Sequence, residues 1–292
     1  MEYLKVLEHA ILYIEQHLTE PIRVEEVARA AGYSYYHLTR QFSAVLGESV
    51  GSYIKKRRLS EASKQLLYTD RKIIDIAMEY GFESSEAFSR AFKAVYQTSP
   101  ASYRKNRIDL FISAKPQLDS PRLNHLVRSI TVHPRIVELS DILVAGLRGQ
   151  TTLADNTIPQ LWNSFMSVAH RLPDRIPDGR GFGICEACQG DNTLYSMCDE
   201  ILFSEVAGTE VNSLEHLEEP FVGKVLRGGR YAVFTYTGLI ADLSQAFEYI
   251  WGTWFLNTQE TLDEREDFEL YDERFLGRHN PQSQIDLYIP IK

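Results

Sequence analysis

Residues 27–42 read Val27-Ala28-Arg29-Ala30-Ala31-Gly32-Tyr33-Ser34-Tyr35-Tyr36-His37-Leu38-Thr39-Arg40-Gln41-Phe42, and residues 76–92 carry the same pattern a second time. Val27-Ala28, Gly32 and Tyr33 return as Ile76-Ala77, Gly81 and Phe82 at an offset of 49, then Leu38, Arg40 and Phe42 return as Phe88, Arg90 and Phe92 at an offset of 50. Recurrence at a fixed spacing marks a repeated supersecondary unit. Each copy reads as a short helix, a glycine-containing turn and a second helix, which is the helix-turn-helix pattern. Glycine suits the turn because, lacking Cβ, it reaches positive φ at little cost.

In the second helix of each copy, residues three and four apart share a face. Tyr35, Leu38, Phe42 and Val45 make the expected inner stripe of the first, leaving Tyr36, Thr39, Arg40 and Ser43 outside. In the second, Ser85, Phe88, Phe92 and Val95 lie inward and Glu86, Ser89, Arg90 and Lys93 outward. Arginine fits a groove-reading role because its planar fork donates two parallel hydrogen bonds to guanine O6 and N7. One such face would read equally well as solvated surface; two matching faces favour double-stranded DNA. Between the copies, residues 52–67 have helix formers with apolar residues at helical spacing. Lys55, Lys56, Arg57 and Arg58 open that helix, where cations contact phosphates and set register without reading sequence. A rigid connection would hold the two reading helices about one DNA turn, roughly 34 Å, apart.

The charge is distributed to match. The 292 residues carry 31 Lys and Arg against 40 Asp and Glu, a net −9. Through Arg107 the count is 16 against 13, or +3, and the remainder holds 15 against 27, or −12. A mildly basic part joined to an acidic one is expected of a nucleic-acid-binding domain with a partner domain. The expected organisation is 1–107, a linker over 108–124 containing Pro116, Ser120 and Pro121, and 125–292. No apolar run approaches a membrane span and no basic, then apolar, leader opens the chain, so a cytoplasmic protein without a membrane partner is expected. Cys185, Cys188 and Cys198 are too few and clustered for a disulfide framework, and a single CxxC without a second pair is weak for zinc. Without a Walker loop, a G-x-S-x-G elbow or an H-E-x-x-H helix, neither enzyme activity, metal nor cofactor is expected.

Beyond the linker, the β-branched runs Ile130-Thr131-Val132, Ile136-Val137 and Ile142-Leu143-Val144 suit strands. Helices are expected over 158–172, with Leu161, Trp162, Phe165 and Val168 on the apolar side, and over 239–256. The order strand, helix, strand, strand occurs over 142–206 and again over 221–291, predicting an α+β domain of two pseudo-symmetric units with a groove between them. Sixteen Tyr and fourteen Phe supply ring walls, which attract cations through their negative faces.

The run 28–42, the stretches Asp75–Phe82 and Phe88–Lys93, and the tail Thr98-Ser99-Pro100-Ala101-Ser102-Tyr103-Arg104 resemble the AraC/XylS family of transcription regulators, over nearly all of residues 3–107. The resemblance implies a multidomain regulator whose all-α double helix-turn-helix domain contacts bases of a promoter operator through Tyr36, Thr39, Arg40, Ser85, Glu86 and Arg90. It also implies an activator that recruits RNA polymerase. Well-known members often carry Trp and Gln where Tyr36 and Thr39 stand, and paired Gln where Ser85 and Glu86 stand, so an operator sequence does not carry over. Most members place this domain last; here it comes first, an order that resembles the subgroup with a trailing GyrI-like domain. Gly228–Gly238, the Trp254 helix end, Asp267–Tyr271 and Ile285–Lys292 resemble that domain's second half. The resemblance implies a small aromatic or lipophilic cation as effector with Glu269 as counter-charge, and Tyr236, Trp254, Tyr271 and Trp162 around it. Two other readings of the domain are a hydrolase using Glu269 as base and a protein–protein interaction module.

Overall fold

Both copies of the repeat adopt one backbone in the computed structural model, which describes residues 2–106, 115, 117–152, 155–177, 179–186, 203–255 and 257–292. In the first copy α2 (Val24–Ala30) leads into α3 (Tyr35–Leu46); in the second α5 (Ile73–Glu79) leads into α6 (Ser85–Tyr96). Gly32 and Gly81 turn the chain at φ 75° and 74°. Past each glycine the next amide returns to the helix it left, Tyr33 N to Ala28 O at 2.9 Å and Phe82 N to Ala77 O at 3.0 Å. Nothing stands within 4 Å of a Cβ built on Gly32, so its backbone angle, not crowding, selects glycine there. Serines cap both reading helices: Ser34 accepts from His37 N and Ser84 from Ala87 N.

The buried stripes are Leu38, Phe42 and Leu46 on α3, and Phe88, Ala91, Phe92 and Tyr96 on α6. They begin about one turn later than the periodicity alone indicated and end one residue further on, at Leu46 and Tyr96. Tyr35 and Ser85, the first residues after the capping serines, are respectively exposed and half-buried instead of forming the stripe.

α4 (Val50–Tyr68) joins the copies; its 19 residues span about 28 Å. Near its start the Tyr53 ring meets Phe42 edge-on at 5.6 Å. Farther along, Leu59, Ala62 and Leu66 share one core with Ile76, Ala77, Phe88, Phe92, Tyr96 and Tyr103. Burying each such aromatic or leucine contributes about 1.5–3 kcal/mol, so both ends of α4 are anchored by packing. α1 (Glu2–Gln16) and α7 (Pro100–Asn106) complete the repeat region.

The basic start of α4 does not do what its composition promised. Lys55 is exposed, but Lys56 is 7% exposed and ion-paired with Glu48 at 3.1 Å. Arg57 makes two 2.8 Å bonds to Glu15 and another to Lys115 O, and Arg58 donates to Leu18 O at 2.8 Å. Lys56 is therefore withdrawn as a phosphate contact, because helical periodicity turns it into the core while Lys55 points away. Lys115 joins the buried cluster from the far side, 2.6 Å from Glu48 and donating to Thr253.

Thr253 belongs to this helical unit although it lies far along the chain. The compact units are residues 1–132 with 244–258, and residues 133–243 with 259–292. The helical unit thus takes in α8 (Ser120–Arg128), capped by Asp119, where 108–124 was expected to be linker. It also takes in most of α10 (Leu243–Tyr249) and the π-helical turn Ile250–Trp254. The reason is burial: Leu118, Leu123, Leu126 and Ile250 are all inaccessible, and the Tyr249 hydroxyl donates to Val132 O.

The second unit is built on one eight-stranded sheet, ordered β1-β6-β8-β7-β3-β4-β2-β5 with every neighbouring pair antiparallel. The strands are β1 (Arg135–Leu139), β2 (Ile142–Thr151), β3 (Gly181–Glu186), β4 (Phe203–Glu210), β5 (Val222–Leu226), β6 (Gly229–Thr237), β7 (Phe268–Tyr271) and β8 (Gln284–Pro290). β2, α9 (Ile158–Val168), β3 and β4 form one strand-helix-strand-strand unit, and β6, α10, β7 and β8 repeat the order along the chain, although all but the first residue of α10 pack in the helical unit. β5 and β1 flank the two units as edge strands. The doubled order expected from the sequence is therefore present, with β3 and β7 paired at the seam.

Candidate functional site

The reading helices present the polar faces that periodicity assigned. Tyr36 is 82% exposed, and Arg40, Glu86, Arg90 and Lys93 are exposed. Thr39, Ser85 and Ser89 are half-buried, and the Thr39 hydroxyl donates back to Tyr35 O at 2.9 Å. No salt bridge holds Arg40, Arg90 or Lys93 among the described residues. Hydrogen bonds at the α6 N-terminus keep the Glu86 carboxylate below its usual range. Face geometry therefore leaves the two arginines able to reach outward from matching positions.

In the sheet unit the local sequence Gly181-Phe182-Gly183-Ile184 decides the site. Strand alternation sends Phe182 and Ile184 into one core. The opposite face of β3 then carries no side chain at 181 and 183, and its neighbours fold over it. Register places Gly183 between Ala207 of β4 and Glu269 of β7, Gly181 opposite Tyr271, and Cys185 opposite Glu205. A Cβ at Gly183 would stand 2.9 Å from Glu205 Oε1 and 3.1 Å from Glu269 Oε2, so both carboxyl groups rest on the space the glycine leaves. A Cβ at Gly181 would meet Tyr271 at 3.4 Å and the Trp162 ring at 3.5 Å.

α9 covers this face. Phe165 packs with Ala145 and Ala207, and Trp162 sits edge-on to Tyr271 with ring centroids 5.0 Å apart. The Trp162 Nε1 is buried and has no acceptor among the described residues. The Tyr271 hydroxyl donates to Glu269 Oε2. Trp162, Glu269 and Tyr271, three of the five residues expected around an effector, are thus brought together.

Two others are not. Tyr236 is fully buried, and its hydroxyl is spent on Leu239 O at 2.6 Å. Burial pushes that phenol up to about 12. Trp254 lies in the helical unit, on the turn that carries Thr253, and is withdrawn from the sheet unit's site. Cys188 and Cys198 lie outside the described residues.

Sequence reading missed Glu205. The signal was there: in Phe203-Ser204-Glu205-Val206-Ala207-Gly208-Thr209, alternation aligns Glu205 with small residues on one face, and Glu205 is only 4% exposed. Burial, followed by repulsion from Glu269, Asp267 and Glu186, pushes its carboxyl well above the usual range. Burial likewise raises Glu269 to about 7 against the lowering effect of the Tyr271 hydrogen bond. Asp267, beside them, is raised to about 6, again chiefly by burial. Carboxyl groups gathered under rings, without a paired cation among the described residues, are an arrangement suited to attract positive charge.

Comparison with known proteins gives both units counterparts. Residues 135–291 match the model of the integron-associated effector binding protein family, and residues 27–106 match a helix-turn-helix domain model. The transcriptional regulator Rob of Salmonella typhimurium is 28% identical over 306 residues, an alignment covering 100% of each chain. The regulatory protein SoxS of Escherichia coli is 38% identical over 104 residues, covering 36% of this chain and 97% of SoxS. Among solved structures, an integron cassette protein of Vibrio cholerae aligns with 56% of this chain and 97% of its own, with 19% identity and a TM-score of 0.41. No helix among the described residues is long and apolar enough to cross a membrane.

Proposed function

The chain belongs to the AraC/XylS family of DNA-binding transcription regulators and carries a GyrI-like effector domain behind its two helix-turn-helix units, and from that premise we propose that a small lipophilic cation, bound at Glu269, sets its activity. The observation that carries the reading is the pair of carboxyl groups resting on Gly183, Glu205 buried and Glu269 half-buried, next to Tyr271 and Trp162. A cation leaving water loses hydration, which a desolvated carboxylate offsets, and each ring adds about 0.5–2 kcal/mol in such surroundings. Flat or delocalised cations gain most, because they are the least hydrated.

On the DNA side, Tyr36, Arg40, Glu86 and Arg90 would read bases in two successive major-groove segments, with Thr39, Ser85 and Ser89 in support. Lys55 and Lys93 would hold phosphate. The protein would act in the cytoplasm as an activator that recruits RNA polymerase. Arg40→Ala or Arg90→Ala should cost about 1–3 kcal/mol on the operator and relax preference at one base pair. An equal loss on random DNA would reduce that arginine to a phosphate contact.

The effector half is tested on the full chain by calorimetry with methyltriphenylphosphonium, a permanent cation, against triphenylphosphine oxide, its neutral analogue. Glu269→Gln should weaken the cation about tenfold or more and leave the neutral analogue unchanged; equal binding of both by the unaltered protein would sink the reading. A hydrolytic role gains one observation, since a carboxyl raised to about 7 is suited to general-base work. Turnover, rather than saturable binding, of a cationic ester would favour it.

A further inference from the structure

The charged groups around the Gly183 floor divide into those paired by their neighbours and those left without an ion pair. On β3, Glu186 is held by Arg148 of β2 at 2.7 Å and by Lys224 of β5 at 2.9 Å. Lys224 also takes Glu266, at 2.6 Å. Asp267 precedes β7, two residues before Glu269, and the Tyr271 hydroxyl is committed to Glu269. Cys185 of β3 stands opposite Glu205 of β4, and α9 contributes Trp162, which does not titrate. Glu205 and Glu269 have no ion pair among the described residues, although Glu205 is as inaccessible as a core residue.

Two carboxylates pressed on the same small space, one of them buried and the other half-buried, cannot both ionise cheaply; one of them keeps a proton. We infer, on the effector reading above, that Glu205 and Glu269 form a single two-carboxyl receptor that holds a shared proton until a cationic effector takes its place. Binding then breaks one carboxyl O–H bond; the proton leaves to solvent and the electron pair stays on oxygen facing the ligand. One positive charge enters as one leaves, so the charge of the site is unchanged. The proton belongs to the pair, but the Tyr271 hydrogen bond favours the ionised form of Glu269 and so directs the proton to Glu205.

The exchange makes Glu205 a specificity-determining residue. A permanent cation or a protonated amine can replace the proton, whereas a neutral compound of the same shape gains nothing by displacing it. Both carboxyl groups are raised above their ordinary range, Glu269 to about 7, so the pair still holds a proton as pH approaches neutrality.

The test is calorimetry of the full chain with methyltriphenylphosphonium, which has no proton of its own, in buffers of different ionisation enthalpy. Release of about one proton per cation near pH 6.5 is expected, with affinity rising up to about tenfold per pH unit between roughly pH 5 and 7. Glu205→Gln should remove most of the release and flatten the slope. Binding that proceeds without proton release, and with the same affinity across that range, overturns the exchange and leaves the effector reading intact. No cation binding at any pH overturns the effector reading itself. The proton count on the unaltered protein decides the matter even if the glutamine variant does not fold.

Discussion

Glu48 in the helical unit and Glu205 in the sheet unit are the same residue type at the same 4% exposure, yet their carboxyl groups shift in opposite directions. Burial works to raise both. At Glu48 the ammonium groups of Lys115 and Lys56, 2.6 and 3.1 Å away, outweigh it and hold the carboxyl below its usual range. At Glu205 the neighbours are Glu269, Asp267 and Glu186, and every contribution pushes upward. A buried acid with its cations supplied from within is finished structure. One whose surroundings are acidic and aromatic is incomplete until a proton or a ligand completes it.

The largest effect that would test this contrast is at Glu48. Glu48→Leu strands two buried ammonium groups and should destabilise the helical unit by about 3–5 kcal/mol, whereas Glu48→Leu combined with Lys56→Met and Lys115→Met should recover most of the loss. Urea unfolding measures both. A loss below about 1 kcal/mol for the single variant would mean that the cluster is open to water and that the contrast fails.

A smaller effect is expected at the floor of the other cluster. Gly183→Ala places a methyl group against Glu205 Oε1 and Glu269 Oε2 and should cost about 1–3 kcal/mol by overpacking, shared between stability and cation affinity. Gly51→Ala, where a Cβ on α4 meets nothing within 4 Å, is the control; it should be neutral or slightly stabilising. Unchanged cation affinity in Gly183→Ala would show that the carboxyl groups reach the ligand without resting on that glycine.

A third change should separate stability from binding. Glu205→Gln removes a buried repulsion, so the sheet unit should gain up to about 1 kcal/mol while cation affinity at pH 8 falls. Loss of both would return Glu205 to the structural class of Glu48.

What the sequence disclosed follows from how far each signal reaches. The repeated Val27/Ile76, Gly32/Gly81 and Phe42/Phe92 positions are local, and one 3.6-residue period carries them to the right faces. The doubled strand-helix-strand-strand order was legible for the same reason. Lys56 was misjudged because a run of four basic residues on a helix must send some of them inward, and only the partner, Glu48, shows which. Trp254 was placed with Glu269 by the resemblance to the GyrI-like domain, but residues 244–258 pack in the helical unit. Glu205 was missed because its role depends on β4, β3 and β7 lying side by side, an adjacency between strands distant in sequence. Gly183 between Phe182 and Ile184 was the clue, since a strand that alternates glycine with core residues leaves one face open to its neighbours.

The last expected effect is a difference in sign with pH. Glu48 is depressed in the folded state, so its contribution is present above the unfolded value near 4.5 and is lost as pH falls below it. Glu205 and Glu269 are raised, Glu269 to about 7, so between about pH 4.5 and 7 the folded sheet unit binds more protons than the unfolded chain. Stability then falls as pH rises through that window, by at most about 1.4 kcal/mol per pH unit for each proton involved. The three tryptophans allow each unit to be followed separately, because Trp162 lies in the sheet unit while Trp251 and Trp254 lie in the helical unit. With fluorine-labelled tryptophan, the urea midpoint reported by Trp162 should fall from pH 5 to 7, and that of Trp251 and Trp254 should show no contribution from Glu48 until the pH drops below about 4.5. Glu205→Gln should flatten the first trend and leave the second alone. A Trp162 midpoint that is constant or rises between pH 5 and 7 would mean that the two carboxyl groups are hydrated in solution, and that neither a shared proton nor a desolvated cation receptor is built on Gly183.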